Sequence, residues 1–232
     1  MHMSLLVTGA PTQEEIEALM EPFSEHNDYP EETGDEDADN AAYAEWRKTA
    51  KWGWWLIGGR WRGFWQLKPD HLGEIRDGIA KVGRPGTGGN DPDFDCDVAR
   101  KSWIDWEGMR EGYVRQAHAR WDEYQRVVSG EPIEGDVMHG MFMFGVRDGD
   151  TRETYVARAD HPPTTYAILH EGRWYEQKEV YGNPDYAHYE TMTDDEIREA
   201  RTKLGNEWNA FWKELVDNLP DDTIMACIDY HN

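Results

Sequence analysis

One stretch of the sequence organises the rest of the chain: Lys51-Trp52-Gly53-Trp54-Trp55-Leu56-Ile57-Gly58-Gly59-Arg60-Trp61-Arg62-Gly63-Phe64-Trp65-Gln66-Leu67-Lys68-Pro69. It holds five of the twelve Trp residues, two Arg and four Gly, in a chain whose formal net charge is −23. Aromatic rings, cations and glycines are therefore concentrated in one short segment of a very acidic protein. This concentration indicates a segment with its own structural or binding role.

Gly58-Gly59 separates two apolar runs and predicts a two-residue β-hairpin turn, because such turns need positive φ and glycine adopts it without strain. The expected strands are residues 54–57 and residues 60–67. Side chains alternate between the two faces of a strand. The second strand would then divide into two sets: Arg60, Arg62 and Phe64 on one face, and Trp61, Gly63 and Trp65 on the other.

These residue types suit a small anionic ligand of the nucleotide kind. A Trp ring offers a flat surface on which a base can stack, and an Arg guanidinium forms a planar fork for phosphate or carboxylate. The simpler alternative is that Trp and Arg pack as core and cation–π pairs. The predicted ligand-binding residues are Trp54, Gly58, Gly59, Arg60, Trp61 and Arg62, with Arg84 from a later glycine-rich loop.

The same stretch resembles the signature of a family of mostly uncharacterised proteins carried by bacteriophages, with the pattern Lys-Trp-Asp-Trp-Tyr-x-Ile-Gly-Gly-Arg-Trp-x-Gly. Most of the chain takes part in the resemblance. Further pieces match in order along the sequence: residues 4–9, Gly83-Arg84-Pro85-Gly86, residues 104–110, residues 172–176 and the ending from Leu219 to His231.

Two positions depart from the family pattern. Gly53 stands where the family has Asp, and Tyr230 stands where it has Cys. Any chemistry that relatives perform with that Asp is therefore in doubt here. The resemblance implies an accessory protein of a phage, acting in the host cytoplasm, and it implies no particular activity.

Composition limits the other partners. With 232 residues, a net charge of −23 and a pI near 4.6, the chain repels nucleic acid phosphates and anionic membranes at long range, so neither is an expected partner. The same charge suits an inhibitor that binds a host defence enzyme, acting as a nucleic acid mimic, although it also serves plain solubility. Two cysteines, Cys96 and Cys227, are typical of a reduced chain without a disulfide framework.

The elements predict a single α+β domain over residues 1–232, with a mostly antiparallel sheet and helices packed on one face. This domain includes an acidic loop at 24–40 and a glycine-rich loop at 83–97. Capping boxes at Thr12 and Thr193 start two helices. Other helices are expected at 40–51, 70–82 and 102–128, with Ser102 as the cap of the last. Strands are expected at 4–8, 138–146, 153–158, 165–170, 174–179 and 223–229, the middle four forming an antiparallel meander.

Asp229 and His231 are the candidates for catalysis. They lie on the same face at the end of the last strand, and a carboxylate can orient an imidazole for general-base chemistry. They give a third function class, a hydrolase, beside ligand binding and protein inhibition; fraying of a terminal segment is the alternative. Met1-His2-Met3 is interpreted as a cloning remnant ahead of Ser4.

Other chemical sites have little support. The Asp35–Asp37–Asp39 run lacks the glycine and the final Glu of an EF-hand, and the glycine-rich loop lacks the Lys-Ser/Thr of a P-loop. His118 and Asp122 have the helical spacing of a metal pair or, more simply, of a surface ion pair. No cofactor and no metal ion are predicted, and the sequence favours a binding protein over an enzyme.

Overall fold

A computed structural model describes residues 2–74, 95–130, 145–147, 149–161 and 163–231. The chain divides into two compact units, one formed by Met1–Ile104 with Thr164–Asn232 and the other by Asp105–Pro163. Arg84, most of the glycine-rich loop, the strand predicted at 138–146 as far as residue 144, and the predicted helix beyond Glu74 lie outside the described residues. The prediction of one domain stays a prediction.

The first unit is built on a mixed sheet of six strands. Its strands are β1 (His2–Thr8), β2 (Trp54–Ile57), β5 (Val98–Arg100), β6 (Ala167–His170), β7 (Arg173–Glu176) and β8 (Ile224–His231). A separate pair joins β3 (Trp65–Gln66) to β4 (Asp95–Cys96). The main order is β2-β8-β1-β6-β7, and only β1 and β6 run parallel. The α+β class and the mostly antiparallel sheet are confirmed.

Strand β8 is the centre of this sheet. It pairs antiparallel with β1 from His2↔His231 to Thr8↔Met225. Its other edge is shared by two short strands, because β2 pairs with Ile228 to His231 and β5 pairs with Ile224 to Ala226. Cys227 lies at the junction, where its carbonyl accepts from Gly58 N–H at 2.9 Å and its N–H donates to the Asp97 carbonyl at 2.8 Å. The first and last strands of the prediction do lie side by side.

The predicted Gly58-Gly59 hairpin is wrong. Residues 59–61 form a turn of 3-10 helix, and the only strand in residues 60–67 is β3, which pairs with β4 rather than β2. The glycines do adopt positive φ, but Gly58, with φ 72° and ψ −68°, turns the chain away from the sheet. Since β8 already pairs with β2, a returning strand is not needed there. The two-faced arrangement of Arg60 to Trp65 therefore does not form.

Five helices accompany the strands in the described residues. They are α1 (Gln13–Met20), α2 (Glu36–Trp46), α3 (Trp106–Val128), α4 (Arg152–Ala157) and α5 (Asp194–Asn218). The capping boxes at Thr12 and Thr193 are both present, which confirms the predicted starts of α1 and α5. None of the helices in the described ranges is long and apolar enough to cross a membrane.

Three predicted elements need correction. α2 begins inside the predicted acidic loop because Asp35 accepts the Ala38 N–H as its N-cap. α3 begins at Trp106 because Asp105, rather than Ser102, caps it. The strand predicted at 153–158 is the helix α4, since a capping box at Thr151 fixes a helical first turn.

Helices contact both faces of the sheet, whereas the prediction placed them on one. Ile16 of α1 is buried in a cluster that includes Leu5, Ala167 and Leu169. Ile168 lies between two of these residues in β6 and so points to the opposite face. On that face Tyr175, the register partner of Ile168, packs against Phe211 of α5 with ring centroids 5.3 Å apart. Strands that are apolar on both faces need cover on both sides.

The second unit combines α3 with α4. Arg152 of α4 donates to His118 Nδ1 at 3.1 Å and to the Asp122 carboxylate at 2.9 Å, so the His118–Asp122 spacing serves an ion-pair network. Arg158 donates two hydrogen bonds to Asp150, which lowers the pKa of that carboxyl. These contacts stabilise the short helix α4.

Candidate functional site

The segment from Gly58 to Gly63, here called the glycine loop, lies on two buried carboxylates. Arg60 N–H donates to Asp229 Oδ2 at 2.9 Å, and Gly63 N–H donates to Asp97 Oδ1 at 2.6 Å. Asp97 and Asp229 are 4% and 1% exposed. A buried carboxylate needs such donors because it loses its hydration on folding. These two amide groups are therefore occupied by internal anions and are not the groups that would bind a ligand phosphate.

Both glycines of the turn have a structural reason to be glycine. A Cβ on Gly58 would lie 2.5 Å from the Asp97 carboxylate, and a Cβ on Gly59 would overlap Asp229. Both residues also have positive φ, at 72° and 53°. The carboxylates can approach the loop closely only because these side chains are absent. A ligand contact by Gly58 or Gly59 stays a prediction.

The side chains of β2 and the following turn leave an exposed surface, here called the Trp–Arg patch and formed by Trp54, Leu56, Arg60 and Trp61. Trp54 is 47% exposed, Leu56 46% and Trp61 38%. Arg60 is exposed and Arg62 is half-buried. Within the described ranges, neither guanidinium forms an ion pair or hydrogen bond. In the described part of this acidic chain, Arg60 and Arg62 are thus unpaired cations in the same segment as these exposed apolar side chains.

Asp229 forms a hydrogen-bonded pair with an imidazole, but the imidazole is that of His2 rather than His231. Asp229 Oδ1 lies 2.9 Å from His2 Nδ1. His231 is the register partner of His2 on the neighbouring strand, and the two ring centroids are 5.3 Å apart. Trp54 meets His2 edge to face at 5.8 Å. The structure therefore joins the candidate Asp229 to the Trp–Arg patch through a residue that sequence reasoning set aside.

The missed residue, His2, had one signal in the sequence. The two outer strands were expected side by side, and antiparallel pairing places the start of one opposite the end of the other. That arrangement brings residues near the N-terminus to Asp229. The register that selects His2 cannot be read from the sequence, because β1 and β8 are buried on both faces and so show no alternation of buried and exposed residues that would fix it.

Neither cysteine is available as a nucleophile. Cys96 and Cys227 are both buried. Burial raises the pKa of the Cys227 thiol, and the nearby Asp97 and Asp229 carboxylates raise it further. The thiolate is the reactive form of cysteine. Cys227 therefore acts as a small core residue between the two carboxylates.

Gly53, the position at which the family resemblance has Asp, lies against another carboxylate. A Cβ at Gly53 would overlap the side-chain carboxylate of Glu25. The Gly53 N–H donates to the His231 carbonyl at 2.8 Å, which fixes this backbone beside the end of β8. A carboxyl side chain is therefore present at this position, supplied by Glu25 and not by residue 53.

Metal binding has no support in the described part of the chain, where no group of three or more His, Cys, Asp or Glu side chains is arranged to hold an ion. Comparisons with protein-family models, with curated proteins and with solved structures found no match for this chain. The functional interpretation accordingly depends on the geometry of the site.

Proposed function

We propose that the protein is a phage accessory protein that binds a small, anionic, nucleotide-like ligand at the Trp–Arg patch. One observation carries the proposal. In a chain with a net charge of −23, Arg60 is exposed and unpaired within the described residues, on a turn that carries the exposed ring of Trp61 and follows the strand that carries the exposed ring of Trp54. Stacking of a base on an aromatic ring contributes about 1–3 kcal/mol, and the guanidinium matches a phosphate.

The turn that carries Arg60 is ordered before any ligand arrives. The Arg60 N–H donates a hydrogen bond to Asp229, and the Gly63 N–H donates one to Asp97. Binding groups on an ordered segment lose less conformational entropy than groups on a mobile loop. This preorganisation supports a binding role for the Arg60 and Trp61 side chains. The hydrogen bonds to the two carboxylates are made by backbone N–H groups and do not use either side chain.

The ligand is expected to be small. A protein of this charge repels a long polyanion over its whole surface, whereas a ligand with a few charges needs only local cations. In the host cytoplasm, binding of such a ligand would remove it from solution. Sequestration of a nucleotide signal of host defence is the proposed biological role.

The experiment compares Arg60→Ala with Arg173→Ala by thermal shift and titration calorimetry against a panel of nucleotides. Arg173 is a matched control because it is also exposed and also follows Gly and precedes Trp. We expect Arg60→Ala to weaken binding by at least about tenfold, since hydrogen bonds to charged groups contribute about 1.5–3 kcal/mol. Arg173→Ala should bind like the unmodified chain.

Three outcomes would contradict the proposal. If no nucleotide shifts the melting temperature and a host protein co-purifies, the acidic surface becomes the working site and the inhibitor class replaces ligand binding. If Arg60→Ala unfolds the protein, the guanidinium is part of the packing. Equal losses of affinity in both variants would show that general charge, and not the patch, attracts the ligand.

A further inference from the structure

The His2–Asp229 pair has the geometry of a general base. Both carboxylate oxygens are used, Oδ1 by His2 Nδ1 at 2.9 Å and Oδ2 by the Arg60 N–H at 2.9 Å. An ionised carboxylate only accepts, so Nδ1 carries the proton and donates it. The proton-free nitrogen is then Nε2, on the other side of the ring. A carboxylate that fixes the tautomer in this way leaves Nε2 as the basic atom.

The ring connects the protein interior with solvent. The side chain of Asp229 is 1% exposed and that of His2 is 27% exposed. Within the described part of the chain, the His2 side chain makes no hydrogen bond other than the one to Asp229. A hydrogen bond that only joined two strands would not require a buried carboxylate. Asp229 is buried beneath the glycine loop, where it also orders the turn that carries Arg60.

Three further groups surround the pair. Trp54 meets the His2 ring at 5.8 Å, His231 meets it at 5.3 Å, and the Arg60 backbone lies on the other oxygen of Asp229. An imidazole base, a second imidazole and a stacking surface, together with the backbone of the residue that carries the Arg60 guanidinium, form a set suited to phosphodiester hydrolysis, in which developing negative charge must be stabilised and protons moved. The ligand-binding patch and the base are therefore parts of one surface.

We propose that the protein hydrolyses a phosphodiester bond of its nucleotide-like ligand, with His2 as the catalytic base and Asp229 as a positioning residue. The inference rests on the proposed ligand-binding function, and it requires that His2 belongs to the protein's own chain and not to the cloning remnant that the sequence suggested. His2 Nε2 takes a proton from a water molecule as the water oxygen forms a bond to phosphorus. The bond from phosphorus to the leaving oxygen breaks, and that oxygen takes a proton from His231 in its imidazolium form. One water is consumed and a phosphomonoester and an alcohol are released.

The test uses the full chain with bis(4-nitrophenyl) phosphate in the presence of EDTA, which inactivates contaminating metal-dependent enzymes by chelating their metal ions. Release of 4-nitrophenolate should be measurable, and His2→Ala should lower kcat by about 10²- to 10⁴-fold, the usual contribution of a general base. Added imidazole should restore part of the activity of His2→Ala. His2→Gln, which keeps a donor for Asp229, should be equally inactive while folded, so that loss of activity is not loss of structure.

His170→Ala is the matched control. His170 lies in the same sheet, its side chain is 24% exposed, and its Nδ1 lies 2.8 Å from the Thr8 hydroxyl, where His2 has a carboxylate. This variant should keep full activity. Asp229→Asn should lower kcat, because the amide no longer fixes the basic tautomer. It should raise KM less than Arg60→Ala does, because Asp229 orders the turn that carries Arg60 but does not contact the substrate.

Some outcomes would overturn the hydrolysis and leave the binding function intact. Nucleotide binding without hydrolysis of either the bound nucleotide or the probe would reject catalysis alone. Hydrolysis that His2→Ala and His2→Gln leave unchanged would also reject it, because the reaction would not use the pair. Failure of both binding and hydrolysis would reject the two proposals together.

Discussion

The sequence Gly-Arg-Trp occurs twice in the first unit, as Gly59-Arg60-Trp61 and as Gly172-Arg173-Trp174. Both glycines have positive φ, at 53° and 71°, and both arginines are exposed. The second copy completes a two-residue hairpin turn between β6 and β7, where Glu171 also has positive φ. The first copy is a turn of 3-10 helix that leaves the sheet. The same tripeptide therefore serves two different turns.

The difference lies in what surrounds each residue. A Cβ on Gly59 would overlap the buried Asp229, whereas a Cβ on Gly172 would meet nothing within 4 Å. Trp61 is exposed, whereas Trp174 packs against Phe23 and Tyr230 with ring centroids 5.3 Å and 5.2 Å away. At the first turn the glycine is constrained by a neighbouring side chain and the Trp is exposed. At the second turn the glycine has no neighbour within 4 Å and the Trp is packed.

The largest expected effect is at Gly59. Gly59→Ala combines a left-handed backbone with an overlap against Asp229, and we expect it to lower the free energy of unfolding by about 2–5 kcal/mol. Gly172→Ala carries only the backbone term, about 1–2 kcal/mol. Urea denaturation of the two variants measures the difference. Equal losses would show that Asp229 can move away and that the glycine loop is not fixed on it.

The Trp residues should give the opposite ranking. Trp174→Ala removes a ring that packs on the core, and we expect a loss of about 2–3 kcal/mol, below the value for a fully buried aromatic residue. Trp61→Ala should cost less than about 1 kcal/mol, since surface substitutions have small effects. Ligand affinity should fall for Trp61→Ala alone. A large loss of stability at Trp61 would favour packing over binding for this ring.

The smallest expected effect on the free energy of unfolding concerns Glu171 in the second turn. Glu171 has φ 49°, a conformation that Asn tolerates better than Glu. Glu171→Asn should therefore raise the free energy of unfolding by up to about 1 kcal/mol, as released backbone strain. Glu171→Ala removes the same carboxylate without that tolerance and should not stabilise. A gain in both variants would assign the effect to charge.

Local signals in the sequence predicted much of this fold. The Thr12 and Thr193 capping boxes mark helix starts because their hydrogen bonds lie within four residues. The Glu171-Gly172 turn is equally local. The positive φ predicted for Gly58 and Gly59 is also confirmed. The strand that pairs with β2 is nevertheless β8, about 170 residues away, as in the pairing of Ile57 with Ile228. Propensity within a short window does not report such a pairing.

The residues of the candidate site could be located only in part from the sequence. Asp229 does lie beside the segment that carries Trp54, Arg60 and Trp61, because it is the register partner of Leu56 and accepts the Arg60 N–H. Asp97 and His2 were missed as members. A buried aspartate looks like any other aspartate in an acidic run, and the amide donors that retain it belong to a loop whose path only the fold determines.

The central position of β8 has a consequence for synthesis of the chain. Strands β1, β2 and β5 all pair with β8, so none of them can complete its pairing until residues 224–231 have been made. Domains usually fold as units while the N-terminal part emerges first, and long-range pairing is slow. The nascent chain must therefore carry apolar strands with open edges through most of its translation. Its high negative charge provides repulsion between such chains and so protects the unfinished protein from aggregation.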